Sequence, residues 1–297
     1  MHCYYVFYNS LAICCLTEAA VVFILKSGRR AFRHSHSLTG KEVYLMGIIA
    51  MLISLIILTF LYRRMIARDI PEPIGRKQAI IPILLGFVSL PLSLFFTFGG
   101  VGILMDIFDY APTDGSLLAQ SILSAFLFAG LTEELGKFLM IMVAFMIYRN
   151  SVKNVYEYML LGAAVGFGFT LPEEALYGSD LITCLLRLDF FAGHLIFGII
   201  MAYYLGMAEH KKITKQGSPA KDYLFALLLP ILMHTLYDAC TANNKFLYHE
   251  DVNMQLIGLA VGIVGALAAF IVQILILLKC KKNAERLCSL RLLPEAH

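Results

Sequence analysis

The chain is expected to fold as an all-α polytopic membrane bundle of about eight transmembrane helices, and three observations predict it. Hydrophobic residues make up 59% of its 297 residues and charged residues only 15%, against roughly 25% in an ordinary soluble domain. Mean hydropathy is +0.75. The apolar residues also gather into runs close to the 20 or so residues that a helix needs to cross a bilayer.

Those runs fall at 3–25, 43–62, 79–98, 117–147, 158–177, 190–208, 223–240 and 254–279. The run over 117–147 is longer than a bilayer requires and is expected to tilt or project. The next meets Pro172, which is expected to kink or unwind its end. Between the third and fourth runs, GGVGILMDIFDYAPTDG reads as a short amphipathic helix on the outer surface. The chain is organised as N-terminal helices over 1–78, a six-helix core over 79–279 and a basic tail over 280–297.

Orientation follows from lysine and arginine, which collect on the cytoplasmic side. Segments 63–78, 148–157 and 209–222 and the C-terminal tail are rich in them, whereas 99–116, 178–189 and 241–253 together hold only Arg187 and Lys245. The last six runs are thereby oriented, with a cytoplasmic C-terminus. Segment 26–42 breaks the pattern with Lys26, Arg29, Arg30, Arg33 and Lys41, so the first two runs stay unoriented. The expected location is the plasma membrane.

Several function classes drop out. The seven cysteines are odd in number and lack CxxC spacing, so neither a disulfide framework nor a zinc knuckle is expected. The basic residues follow topology, and no nucleic-acid-binding motif is present. The opening MHCYYVFYNS lacks the basic start and small-residue cleavage site of a signal peptide, so the first helix is expected to be retained.

What stands out is ionisable residues inside the apolar runs, which cost a few kcal/mol each on insertion scales. GLTEELGKF carries Glu133, Glu134 and Lys137; GFGFTLPEEALYG carries Glu173 and Glu174; the sixth run carries His194; MHTLYDA carries His234 and Asp238. Glu133 and Lys137 are i, i+4 neighbours on one face, while Glu134 points about 100° away and meets Lys137 as an i+3 neighbour. One carboxylate can then be neutralised by the lysine while the other faces a site. His234 and Asp238 are also i, i+4, so Asp238 can fix the histidine's tautomer.

Depth brings these groups together. At about 1.5 Å per residue, Glu133 and Glu134 fall near mid-membrane, with His234 about 5 Å, His194 about 8 Å and Glu174 about 10 Å to the outer side. Gly162 and Gly166 form a small-xxx-small pattern that signals close helix packing. Gly193 and Gly198 leave room near His194 for water or an unwound substrate.

Carboxylates and two histidines at one depth suit hydrolysis. Neither a G-x-S-x-G elbow nor an HExxH helix is present, which removes the common serine hydrolases and zincins. In one version His194, His234 and Glu134 hold zinc with one position open for water, and a spare glutamate is the base. In the other, a desolvated glutamate activates water without a metal and the histidines stabilise the oxyanion.

EELGKF, GFGFTLPEEALYG, HLIFGIIMAYYLG and MHTLYDA, in this order, resemble the four motifs of the PrsW family of intramembrane proteases, kin to the CAAX prenyl endopeptidases and the scaffold subunit of γ-secretase. The likeness covers about residues 125–240. It implies a catalytic set of Glu133, Glu134, His194 and His234, with Lys137, Glu173 and Asp238 in support. Glu174 departs from the family, which often has asparagine there; it is counted among the supporting groups. The resemblance further implies cleavage of a single-pass membrane protein near the outer face, as when bacterial relatives clip an anti-sigma factor. A non-catalytic scaffold and a proton-coupled transporter are the alternatives.

Overall fold

The computed structural model describes residues 40–67, 76–108, 115–177 and 193–287. The chain divides into two compact units, 1–43 and 44–297, and the described helices belong to the second apart from the first turn of α1. Among the described residues the structure is helical throughout: α1 (Gly40–Ile66), α2 (Arg76–Phe95), α3 (Gly102–Phe108), α4 (Leu117–Ala125), α5 (Leu131–Tyr148), α6 (Val155–Tyr177), α7 (Gly193–Thr214), α8 (Ala220–Cys240) and α9 (Val252–Leu287). Every expected run from 43 onward is matched by one of these helices or a continuous pair. The first run, 3–25, lies outside the described residues.

Two pairs are single long helices interrupted by π turns, at Phe96–Val101 between α2 and α3 and at Phe126–Gly130 between α4 and α5. A π turn inserts one extra residue and rotates the helix that follows it. Two expectations are corrected by this geometry. Residues 99–108 of the segment prolong the third span instead of forming a separate amphipathic helix. The fifth span does not unwind at Pro172 but stays helical to Tyr177, so Glu173 and Glu174 sit on a helical turn.

Helices α6 and α7 form the most extensive helix pair, with α2 packed against α6 and α8 packed against α7. Glycines permit this closeness. A methyl on Gly162 would collide with the backbone carbonyl of Gly198, and one on Gly166 with that of His194. The small-xxx-small reading therefore holds, and Gly198 is filled by a helix crossing. Of the two glycines expected to leave room near His194, Gly193 faces open space. Around the crossing Leu160, Leu161, Ala163, Ala164, Ile199 and Ile200 are buried.

Among the described residues four helices are long and apolar enough to cross a membrane: 78–107, 155–176, 220–240 and 252–287. The protein is an integral membrane protein.

Candidate functional site

The start of α5 supplies the charged residues. The π turn at Phe126–Gly130 comes immediately before it, and the first turn of α5 is tied to the other π turn, because Thr97 donates to the Thr132 hydroxyl at 3.0 Å. Glu133 and Glu134 follow. Gly130 lets this end of the helix lie against α8, where a methyl group would strike the Thr235 hydroxyl. Gly136 does the same against Ser93 of α2. The helix carrying the carboxylates is thereby brought within reach of the helix carrying His234.

Lys137 chooses the i−3 carboxylate. Its ammonium donates to Glu134 Oε1 at 2.6 Å and lies 4.0 Å from Glu133 Oε2. Lys137 and Glu134 are fully buried, a placement that demands pairing and hydrogen bonding. The ammonium is also 4.1 Å from the centre of the Phe169 ring, a cation–π contact that replaces part of its lost hydration. The carboxylate left facing the site is that of Glu133.

Each histidine is held by different neighbours. His234 Nδ1 is 2.7 Å from Glu134 Oε1; its Nε2 lies 3.7 Å from Asp238 and 3.9 Å from Glu133. His194 Nδ1 is 2.7 Å from the Lys137 ammonium, and its Nε2 is 2.5 Å from Glu173 Oε2. The two rings are 5.1 Å apart, with Phe197 stacked on His234 and Phe169 tilted against His194. Both histidines are buried, whereas the Glu133 and Asp238 side chains keep 14% and 15% of their surface exposed. These two carboxylates form the accessible edge of the cluster.

The structure thus joins seven of the eight residues singled out in the sequence: Glu133, Glu134, Lys137, Glu173, His194, His234 and Asp238. Glu174 is buried on the same turn as Glu173. Phe169, Phe197 and Thr235 were missed. A readable signal existed for the two phenylalanines, which stand four residues before Glu173 and three after His194, hence on the same helix faces. Thr235 is recognisable only through its contact with Gly130.

The cluster includes a metal-site geometry. Glu133, His194 and His234 each bring one donor atom within 4.8 Å of the others. In number and closeness these donors fit a zinc site with one open position. Glu133 Oε2 is buried and accepts no hydrogen bond, so it is ready to act as a ligand. His234, with Nδ1 on a carboxylate, presents Nε2 in the manner of a metal-binding histidine. His194 does not fit in the same way, since both of its ring nitrogens are engaged, one by an ammonium and one by Glu173.

Comparison with known proteins identifies the family. The model of the PrsW family of intramembrane metalloproteases matches residues 77–276. The chain is 34% identical over 129 residues to the protease PrsW of Halalkalibacterium halodurans, which is 41% of this chain and 55% of that protein. It is 35% identical over 123 residues to the protease PrsW of Oceanobacillus iheyensis, 39% of this chain and 53% of that protein. With the protease PrsW of Bacillus subtilis it shares 29% identity over 133 residues, 43% of this chain and 59% of that protein. The chain spans a little over half the length of the relatives it matches. No solved structure matches it. The chain belongs to the PrsW family of intramembrane metalloproteases.

Proposed function

We propose that this member of the PrsW family is an endopeptidase that hydrolyses a peptide bond of a single-pass membrane protein near the outer half of the bilayer, the first cut of a regulated proteolytic cascade. The core over 79–279 carries the activity, in the plasma membrane, with the tail 280–297 in the cytoplasm. The depth of the polar residues and the lysine and arginine distribution support this placement.

The observation that carries the reading is the contrast between adjacent glutamates. Glu134 has no exposed side-chain surface and its Oε1 holds both Lys137 and His234, whereas Glu133 is 14% exposed and presents Oε2 beside two histidines; neither Oε2 accepts a hydrogen bond, but only that of Glu133 lies at the accessible edge. Such an oxygen is suited to take a proton from water. Glu133 accepts the proton as the water oxygen bonds to the scissile carbonyl carbon, and the carbonyl electron pair moves onto its oxygen. That oxyanion is stabilised by hydrogen-bond donors of the cluster. As the C–N bond breaks, the proton passes from Glu133 to the leaving nitrogen, yielding a carboxylate and an amine.

Of the zinc-dependent and glutamate-dependent versions, the geometry supports the second. A zinc ion would be held by Glu133 and His234, with Glu133 in the place first given to Glu134, but His194 presents no free lone pair to complete the set. Bound metal would supply an activated water. The hydrolytic step above uses only the chain's own groups.

The test is co-reconstitution in liposomes with an epitope-tagged single-pass membrane protein, comparing the wild type with Glu133→Gln and His234→Ala. Cleavage by the wild type and a fall of about 10²- to 10⁴-fold for Glu133→Gln are expected. Equal cleavage by all three would overturn the assignment.

A further inference from the structure

His194 and His234 look alike in sequence, yet their surroundings impose opposite tautomers. Beside the His234 Nδ1 stands the Glu134 carboxylate at 2.7 Å. A carboxylate can only accept, so in a neutral His234 Nδ1 carries the proton and the lone pair is on Nε2, 3.7 Å from Asp238 and 3.9 Å from Glu133. Beside the His194 Nδ1 stands the Lys137 ammonium at 2.7 Å. An ammonium can only donate, so that nitrogen must accept. The proton of a neutral His194 is then on Nε2, which lies 2.5 Å from Glu173 Oε2.

We infer that Lys137 is a positioning residue that locks His194 in the Nε2–H tautomer, making it a hydrogen-bond donor to the reacting groups and removing it from any metal-ligand set. The inference rests on the protease reading for the word reacting, but the tautomer itself is a property of the resting protein.

Several features of the lysine agree with this role. Its side chain is fully buried, a costly position for a group whose only task is to neutralise a nearby glutamate. It reaches across from α5 to α7, and the Phe169 and Phe197 rings at 4.1 and 5.8 Å hold the ammonium in place. The same Glu134 oxygen that binds Lys137 also receives the His234 proton. One carboxylate and one ammonium in contact therefore set both rings, each imposing the opposite polarity. At the active edge this yields a lone pair on His234 and an N–H on His194. Glu173 occupies the acceptor position that a substrate carbonyl oxygen would take.

Both tautomers can be read directly. The full-length protein, ¹⁵N-labelled at histidine and reconstituted in liposomes, is compared by solid-state NMR with a His194→Gln variant to identify the His194 signals. The expected spectrum has a protonated Nε2 and an unprotonated Nδ1 for His194, and the reverse for His234. Lys137→Arg, which keeps a donor, retains this pattern; Lys137→Met frees Nδ1 to take up a proton, so the His194 Nδ1 signal shifts to the protonated position while Nε2 stays protonated beside Glu173. One equivalent of zinc leaves the His194 signals of the wild type in place. A protonated Nδ1 on wild-type His194, or a zinc-induced shift of its Nε2 at one equivalent, would overturn the inference. These spectra require no cleavage assay, so a wild type that cuts nothing would count against the protease reading and leave the tautomer result standing. In a cleavage assay Lys137→Met is expected to lower kcat about tenfold or more with KM nearly unchanged; a loss confined to KM would overturn the role in positioning the reacting groups.

Discussion

Helices α6 and α9 both read as membrane spans, but the more apolar of the two is the less buried. Across its most apolar stretch α6 is 83% buried inside the protein, whereas α9 is only 17% buried despite a higher hydropathy. In water the ranking would be the reverse. Lipid is as apolar as leucine, so nothing drives an oily helix away from it, and burial goes to helices whose small and polar residues make close contacts with other helices. In α6 these are Gly162, Gly166, Glu173 and Glu174. In this protein, low hydropathy within a span marks the functional centre.

Substitutions that either disturb or respect close contact should separate the two regions. The largest effect is expected at the α6–α7 crossing. Gly166→Leu forces a side chain onto the His194 carbonyl, costing about 3 kcal/mol or more as overpacking. It should lower the unfolding temperature in detergent and displace His194. A smaller effect is expected where α5 meets α8: Gly130→Ala pushes on Thr235 and is expected to cost about 1–3 kcal/mol. The movement reaches the neighbouring His234, so cleavage should fall by more than the stability loss alone explains; a loss of stability with full activity would show that α8 adjusts without moving the ring. On α9, Val264→Leu lies at a 67% exposed position, so its unfolding free energy should stay within about 0.5 kcal/mol of wild type. A cost on α9 equal to that on α6 would remove the contrast.

Much of the fold was legible because a span is a length and a composition. The expected runs from 43 onward recur as helices, and 117–147 matches the continuous α4–α5 stretch to within a residue. The ends were harder to read. Pro172 was expected to kink or unwind its span, and of the two the unwinding does not occur, because α6 runs on past it to Tyr177. The π turns carry no composition of their own, so the extension into Gly102–Phe108 was misplaced on the surface. In the site, depth identified the helices that meet but not the rotation of each one. Hence the residue types were readable from spacing, while the partner of Lys137 was not: i−3 and i−4 are both within a lysine's reach, and α7 and α8 decide between them. Gly198 illustrates the same limit. A glycine beside a histidine can be open space or a helix crossing, and only the opposing Gly162 shows which.

The central claim is that Glu133 faces the reacting atoms while Glu134 holds the framework together. It is tested most directly by the equilibrium unfolding of Glu133→Gln and Glu134→Gln, measured side by side in one detergent. Glu134→Gln leaves the buried Lys137 ammonium without its counter-charge and is expected to lose about 3–5 kcal/mol. Glu133→Gln removes a charge whose buried Oε2 accepts no hydrogen bond, and is expected to match or exceed the wild type in stability. The reverse order, with Glu133→Gln destabilised and Glu134→Gln unchanged, would contradict the account.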